Sequence, residues 1–446
     1  MLMMYRRCSC WFLLALAAGC GSVKDSHLAD APGPSLDSGG VIRGTVRVTV
    51  LDAGGTGAPA VGANVVFLDP DGSLVKRVAT DTAGKANADV LPGGSVTSIA
   101  LVSTQYQLQT VLGVKPGDDI VLGNKNGDGS VAGDFTITYP LFGGATSYSV
   151  VSPCGTIPFP APATGGPPAP AKISISNSCK RDPMELVVVA QGANGPLSSI
   201  AKAGVPFVPG GSTTITGSYQ GLRSVTVSYT NINPIITNLD MNRLIPDGFG
   251  FDSNQTMASP GTSLTMTVTG PQAAGGQIFT QASGAAGQFQ TVRQAIPGTA
   301  ATYGLDVAAT LLPWINSPTY DPATRKLVVP LDTTGTSSAK PDIFAIGARY
   351  GRVDANNVST TFTWTLFGPE AADIVLPALP ADLAAIGPGA TDTVTIFAAA
   401  MFEADSVSGY DAIRNDPNHA LELYAGARPP AATVRTSRAP AKRGAL

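Results

Sequence analysis

Acid–base and nucleophilic chemistry at neutral pH rests on a few side-chain types, and this chain holds them sparingly. Its 446 residues include two histidines, His27 and His419. A Ser-His-Asp or Cys-His arrangement would therefore have to use His419. That residue sits in Asp416-Pro417-Asn418-His419, which has turn composition and reads as a solvated surface segment. Ser-x-x-Lys, a nucleophile-and-base spacing, occurs at Ser73/Lys76, Ser199/Lys202 and Ser337/Lys340. Each lies among strand and turn residues rather than on the helix this chemistry needs. The 31 acidic residues leave a glycosidase-type carboxylate pair open, because spacing in sequence does not give separation in space. None of them is singled out. No Gly-x-Ser-x-Gly elbow, phosphate loop or dinucleotide fingerprint occurs, so no cofactor is expected.

Binding chemistry has more to work with. Asn124, Asn126 and Asp128 place oxygens at alternate positions before a glycine, as the first half of a calcium loop does. The closing acid is missing, since the twelfth position is Phe135, and the cluster reads as an inter-domain turn without a metal. Trp314, Tyr320, Trp364 and Phe367 have the residue types of a sugar-stacking platform. At strand spacing, however, Phe362, Trp364 and Leu366 share one face, the pattern of a core. A net charge of −3 gives no footprint for nucleic acid.

The N-terminal segment decides the compartment. Arg6 and Arg7 precede a short apolar stretch and small residues that lead to Cys20, the plan of a secretory signal peptide. The apolar run falls short of the roughly 20 residues that span a bilayer. Leu16-Ala17-Ala18-Gly19-Cys20 resembles the lipobox of bacterial lipoproteins, with Ala17 where that family favours Leu. The resemblance implies cleavage after Gly19, diacylglycerol on the Cys20 sulfur and an acyl chain such as palmitate on the new amino terminus. Two or more chains hold a protein on a membrane where one is marginal, at roughly 0.8 kcal/mol per buried CH₂. Gly21 after the cysteine, in place of Asp, implies the outer membrane by the same analogy, on either its surface or its periplasmic face. The alternative is a plain secreted protein with an incidental cysteine near its cleavage site.

With Cys20 lipidated and Cys8 and Cys10 removed with the leader, Cys154 and Cys179 are left of the five cysteines. An exported chain with such a pair reads as carrying one disulfide. A zinc site is the competing reading and would need further ligands.

The frame that positions these residues is read from composition and alternation. Charged residues make up 13%, with 51 Gly and 36 Pro, against a usual charged share of about 25%. Short strands and tight turns are expected. Residues 20–40 read as a flexible spacer. From residue 41 apolar and polar residues alternate, with further strands expected at 64–68, 74–80 and 85–90. Here Gly44-Thr45-Val46, Ala60-Val61-Gly62-Ala63-Asn64-Val65, Thr80-Asp81-Thr82-Ala83-Gly84 and Leu91-Pro92-Gly93 resemble the carboxypeptidase regulatory-like domain, a transthyretin-like β-sandwich. That resemblance covers residues 41–123 and implies an accessory module without catalytic residues. Gly84 and Gly93 suit positive φ, and Val61 and Val65 can supply the inner face.

A second β-sandwich is expected over 124–230, with a Pro- and Gly-rich loop at 158–171 between the two cysteines. A third β-rich domain is expected over 231–424, with strands near 263–269, 326–331, 342–350, 360–367 and 391–402 and helical turns near 305–312 and 381–386. Residues 425–446 carry Arg428, Arg435, Arg438, Lys442 and Arg443 without an acid and read as a disordered basic tail, solvated or against anionic headgroups. The expected fold class is thus all-β: tandem β-sandwich modules, immunoglobulin-like or transthyretin-like, after a signal peptide and spacer. The expected function is a lipid-anchored, non-catalytic envelope protein in adhesion, scaffolding or ligand capture, with envelope proteins or glycans as partners. The second reading is a surface protein that binds or processes glycans through the third region, and a periplasm-facing assembly accessory is a third.

Overall fold

The computed structural model describes residues 42–52, 57–123, 131–162, 166–177, 179–244, 250–271, 276–295, 301–337, 339–353, 357–369, 373–417 and 433–439. Residues 1–41, which hold Cys20 and the expected leader and spacer, lie outside them, as do both histidines and Asn124, Asn126 and Asp128.

The alternating stretch that opens the folded chain forms strand Gly44–Val50. It pairs antiparallel with Lys85–Val90 and parallel with Asp119–Leu122. Period-2 alternation turns Val46, Val48 and Val50 inward with Ala86, Ala88 and Val90, as a half-buried sheet requires. Against them pack Val65, Phe67, Val96 and Val111 from a second sheet that contains Asn64–Leu68, Leu74–Ala79, Gly94–Val102 and Gln105–Val114. Gly84 and Gly93 turn at φ +72° and +91°. A Cβ on Gly84 would stand 2.5 Å from the Val50 carbonyl oxygen, so this turn excludes a side chain. Val65 is buried as expected, but Val61 is 64% exposed, because the chain turns there before the strand begins.

The second sheet does not stop at Gln105–Val114. Ser359–Gly368 runs parallel to it, from Thr361 opposite Gln105 to Phe367 opposite Val111. The sheet continues through Ile343–Val353, Thr395–Ala404, Val434–Arg438, Phe289–Ala295, Gln277–Gly284 and Ile236–Leu244 to Gly250–Ala258, twelve strands in all. The segment expected as a closed sandwich over 41–123 therefore shares a sheet with the region expected to be separate. Both faces are covered at the centre: Phe67, Ile343 and Phe367 pack on one side, Val66, Phe344 and Leu366 on the other. Burial on both faces gives near-continuous apolar strands such as Asn64–Leu68, as it does in covered sheets generally.

The second sandwich packs a five-stranded sheet, with Ser147–Ser152 and Met184–Gly192 at its middle, on a three-stranded sheet centred on Val131–Thr138. Tyr148, Val188, Ile173 and Phe135 meet in its core. Arg223–Thr230 belongs elsewhere, between Leu264–Gly270 and Thr302–Asp306. Its Val225, Val227 and Tyr229 pack on Leu239, Met266 and Trp314, so this strand, expected in the second module, packs with the region that follows it. The helical turn expected near 305–312 is Val307–Thr310, capped by the Asp306 carboxylate, which accepts from Ala309 N.

Within the segment expected as a disordered basic tail, Val434–Arg438 is instead a strand, which fills the sheet between Phe289–Ala295 and Thr395–Ala404. Arg435 pairs with Glu403 and Asp405, and the Ser437 hydroxyl donates to the Pro313 carbonyl at 2.7 Å. The acids missing from the local sequence are supplied by the end of the neighbouring strand and the residue that follows it.

Candidate functional site

Of the four aromatic residues proposed from sequence as a sugar platform, Trp314, Trp364 and Phe367 lie inside the fold and Tyr320 is half-buried. Trp314 and Trp364 are both fully buried. Trp364 Nε1 donates to Thr110 Oγ1 at 2.8 Å, and Trp314 packs in the core beneath Arg223–Thr230. Neither offers a ring face to a sugar. Phe362 is likewise taken up, stacked between Tyr106 and Tyr350 at centroid distances of 5.2 and 4.9 Å. Arg352 lies over Phe362 at 5.0 Å and pairs with Asp392, whose carboxyl its hydrogen bonds hold below the usual range.

Cys154 and Cys179 are joined, with Cα atoms 5.1 Å apart. Cys154 sits in the turn between Ser147–Ser152 and Gly155–Pro160 of the five-stranded sheet, while Cys179 follows Ala171–Ser176 of the three-stranded one. The bridge thus ties the two layers of this sandwich.

No Ser-x-x-Lys pair is assembled as nucleophile and base. Lys76 Nζ donates to the Asn87 carbonyl, and Lys202 Nζ to Thr213 Oγ1 and the Thr214 carbonyl. Ser199 is buried, and residues three apart on a strand point to opposite faces. Ser337 Oγ accepts from Ala339 N. Among the described residues, no group of three or more His, Cys, Asp or Glu is placed to hold a metal ion.

What the sheet does form is a cleft of about 480 Å³. Phe289, Phe397 and Phe402 give it an aromatic lining, and Ala345, Ala398 and Ala400 a shallow one. Its shape follows from two local features. The register between Ile343–Val353 and Thr395–Ala404 slips at Gly347/Ala348, so that Gly347 faces Ala398 while Ala348 faces Ile396. Phe397 is the extra residue of this bulge, and bulges re-aim side chains in this way. Its ring lies over Gly347, where a Cβ would come within 2.4 Å of it. Only glycine leaves room for the ring.

Arg438 lines the same cleft. It stands directly opposite both Phe289 and Ala400 in the sheet, with its guanidinium 5.5 Å from the Phe289 ring and 6.0 Å from the Phe402 ring. It forms no ion pair among the described residues. The residue is exposed to solvent, and desolvation of the part against the rings lowers its pKa. Arg435, on the other face of the same strand, is matched by Glu403 and Asp405. Two more arginines share the cleft's face of the sheet. Arg293 lies over Phe279 at 5.3 Å, its pKa lowered to about 10 by burial and then by the charge of Arg438. Arg349 lies over Phe397 at 5.2 Å. Arg293 Nη1 and Arg349 Nε are buried without a hydrogen-bond partner among the described residues. Cation–π contacts return only part of the hydration each cation gives up.

No protein-family model matches this chain, and no curated protein matches it. Among solved structures it is similar to the TIE protein of Bacillus anthracis, at 13% identity and a TM-score of 0.16 over 60% of this chain and 51% of that one. It is similar to two B repeat units of the collagen-binding protein of Staphylococcus aureus, at 12% identity and a TM-score of 0.13 over 79% and 93% of the two chains. BcpA, the major pilin subunit of Bacillus cereus, gives 12% identity and a TM-score of 0.14 over 59% and 98%. This chain thus spans about half the length of the first of these proteins. Nothing about its ligand or partners follows from likeness at such scores. Its own sheets define an all-β protein of β-sandwich modules.

Proposed function

We propose that this chain is a lipid-anchored cell-envelope protein that captures a ligand without transforming it. The β-sandwiches act as the frame that presents the cleft. One observation carries the reading: the cleft is lined by apolar side chains, one hydroxyl, that of Thr365, and one guanidinium, that of Arg438. An arginine stays protonated near neutral pH, so it orients an anion rather than moving a proton. Such a lining holds a ligand and supplies no base, nucleophile or acid to it. The anchor is carried by the Cys20 motif and its resemblance to the lipobox. Glycan capture through Trp314 and Trp364 is not favoured, because both rings are enclosed.

The test is incubation of the purified protein with polysaccharide and peptide substrates, followed by mass spectrometry of the products. No turnover is expected. Turnover that disappears on changing one carboxylate would overturn the reading.

A further inference from the structure

We propose that the ligand of this cleft is an amphiphilic carboxylate, a medium-chain fatty acid or close analogue, with its head on Arg438 and its apolar body between Phe289, Phe397 and Phe402. The inference rests on the capture reading above and names the ligand class for the same site.

Three observations meet here. First, the cleft lies within the range of about 300–1,000 Å³ typical of small-molecule sites, and its lining is mainly aromatic and alanine side chains. An apolar body placed there removes both surfaces from water, at about 25 cal/mol per Å². A sugar would place hydroxyls against walls that offer few partners. Second, Arg438 meets no carboxylate among the described residues, while Arg435 on the other face of its strand meets two. The planar guanidinium fork matches a carboxylate with two parallel hydrogen bonds. Third, Arg293 and Arg349 share this face without ion-pair partners among the described residues, and Arg293 responds to the charge of Arg438. Their combined field favours an anion over a neutral head, and an anion on Arg438 relieves the repulsion between cations. Neutral amphiphiles gain only the first of these effects. Discrimination between an acid and its alcohol is therefore the signature of the site.

The experiment is calorimetric titration of the protein with decanoate and with decanol, both below their aggregation limits. The proteins are wild type, Arg438→Gln, Arg438→Lys and Ala398→Trp, with melting curves to confirm folding. Wild type is expected to bind decanoate at least tenfold more tightly than decanol. Arg438→Gln should abolish that preference while leaving decanol binding in place, and Arg438→Lys should keep part of it. Ala398→Trp, which fills the cleft from an exposed position, should weaken both ligands at least tenfold.

A decanoate preference that survives in Arg438→Gln, or binding of both ligands unchanged in Ala398→Trp, overturns the proposal. Equal binding of the two ligands by wild type, lost in Ala398→Trp, overturns the carboxylate class and leaves capture at the cleft standing. Chemically altered decanoate recovered after binding would instead overturn the non-catalytic reading. Failure of folded wild type to bind either ligand overturns the ligand class and leaves the capture reading to the turnover test above.

Discussion

Arg414 and Asp118, 296 residues apart, form a buried two-pronged ion pair, with Nε 2.6 Å from one carboxylate oxygen and Nη2 2.7 Å from the other. The contact closes a latch between the chain near its end and the first sandwich. Tyr410 donates its hydroxyl to the Leu112 carbonyl at 2.8 Å, and Val121 N donates to the Asn415 carbonyl at 2.8 Å. Arg414→Met leaves the buried Asp118 carboxylate without a cation, which costs about 3–5 kcal/mol, whereas Asp118→Asn leaves Arg414 its second partner, Asp411. Both Arg414→Met and Asp118→Asn are expected to lower the urea midpoint, Arg414→Met by more. The double variant should lose less than their sum. Additive losses would show that the two side chains do not act as a pair.

Ending the chain at residue 433 tests the strand found where a solvated tail was expected. The deletion removes Val434–Arg438 from between two neighbours and bares the facing edges of Phe289–Ala295 and Thr395–Ala404, which invites aggregation. Loss of the cooperative melting transition, or insolubility, is expected. A truncated protein that melts like the full chain would restore the tail reading.

The first sandwich was largely legible in the sequence because its signals are local. The alternation of Gly44–Val50 and the turn glycines Gly84 and Gly93 announce themselves within ten residues. Strands Asn64–Leu68 and Lys85–Val90 fall where alternation and turn residues place them. Other strands were hidden by polar inward positions. Phe289–Ala295 turns Gln290 inward, where its Nε2 donates to the Leu312 carbonyl at 2.6 Å, so no apolar stripe marks it. Parallel pairing between Gln105–Val114 and Ser359–Gly368 leaves no trace in either segment alone. The cleft was missed for the same reason. Phe289, Phe397 and Arg438 are far apart in sequence, and the bulge that lifts Phe397 is a property of two paired strands.

Asp342 gives the fold a pH dependence of defined sign. Burial pushes its carboxyl up to about 6, with Glu403 adding to the effect and the hydrogen bond from Ala404 N opposing it. Between about pH 4 and 6 the folded state therefore holds a proton that the unfolded chain releases. Stability from this group is present at pH 4 and lost as pH rises through 6, on the order of 2–3 kcal/mol. The melting temperature of wild type relative to Asp342→Asn should rise as pH is lowered from 7 to 4. A difference that stays constant across that range would contradict the assignment.

Trp364→Phe separates core from ligand site. Losing the hydrogen bond to Thr110 Oγ1 is expected to cost about 1–3 kcal/mol in unfolding free energy. Binding to immobilised glycans should be unaffected by this change. A loss of glycan binding in a variant of undiminished stability would return Trp364 to the surface.

The proposed envelope anchor is tested most directly by the mass of the mature amino-terminal peptide, isolated from the organism that makes the protein. The proposed anchor predicts a chain that begins at Cys20, with diacylglycerol on its sulfur and an acyl group on its amino terminus. A mature chain that begins elsewhere, or an unmodified Cys20, would contradict it.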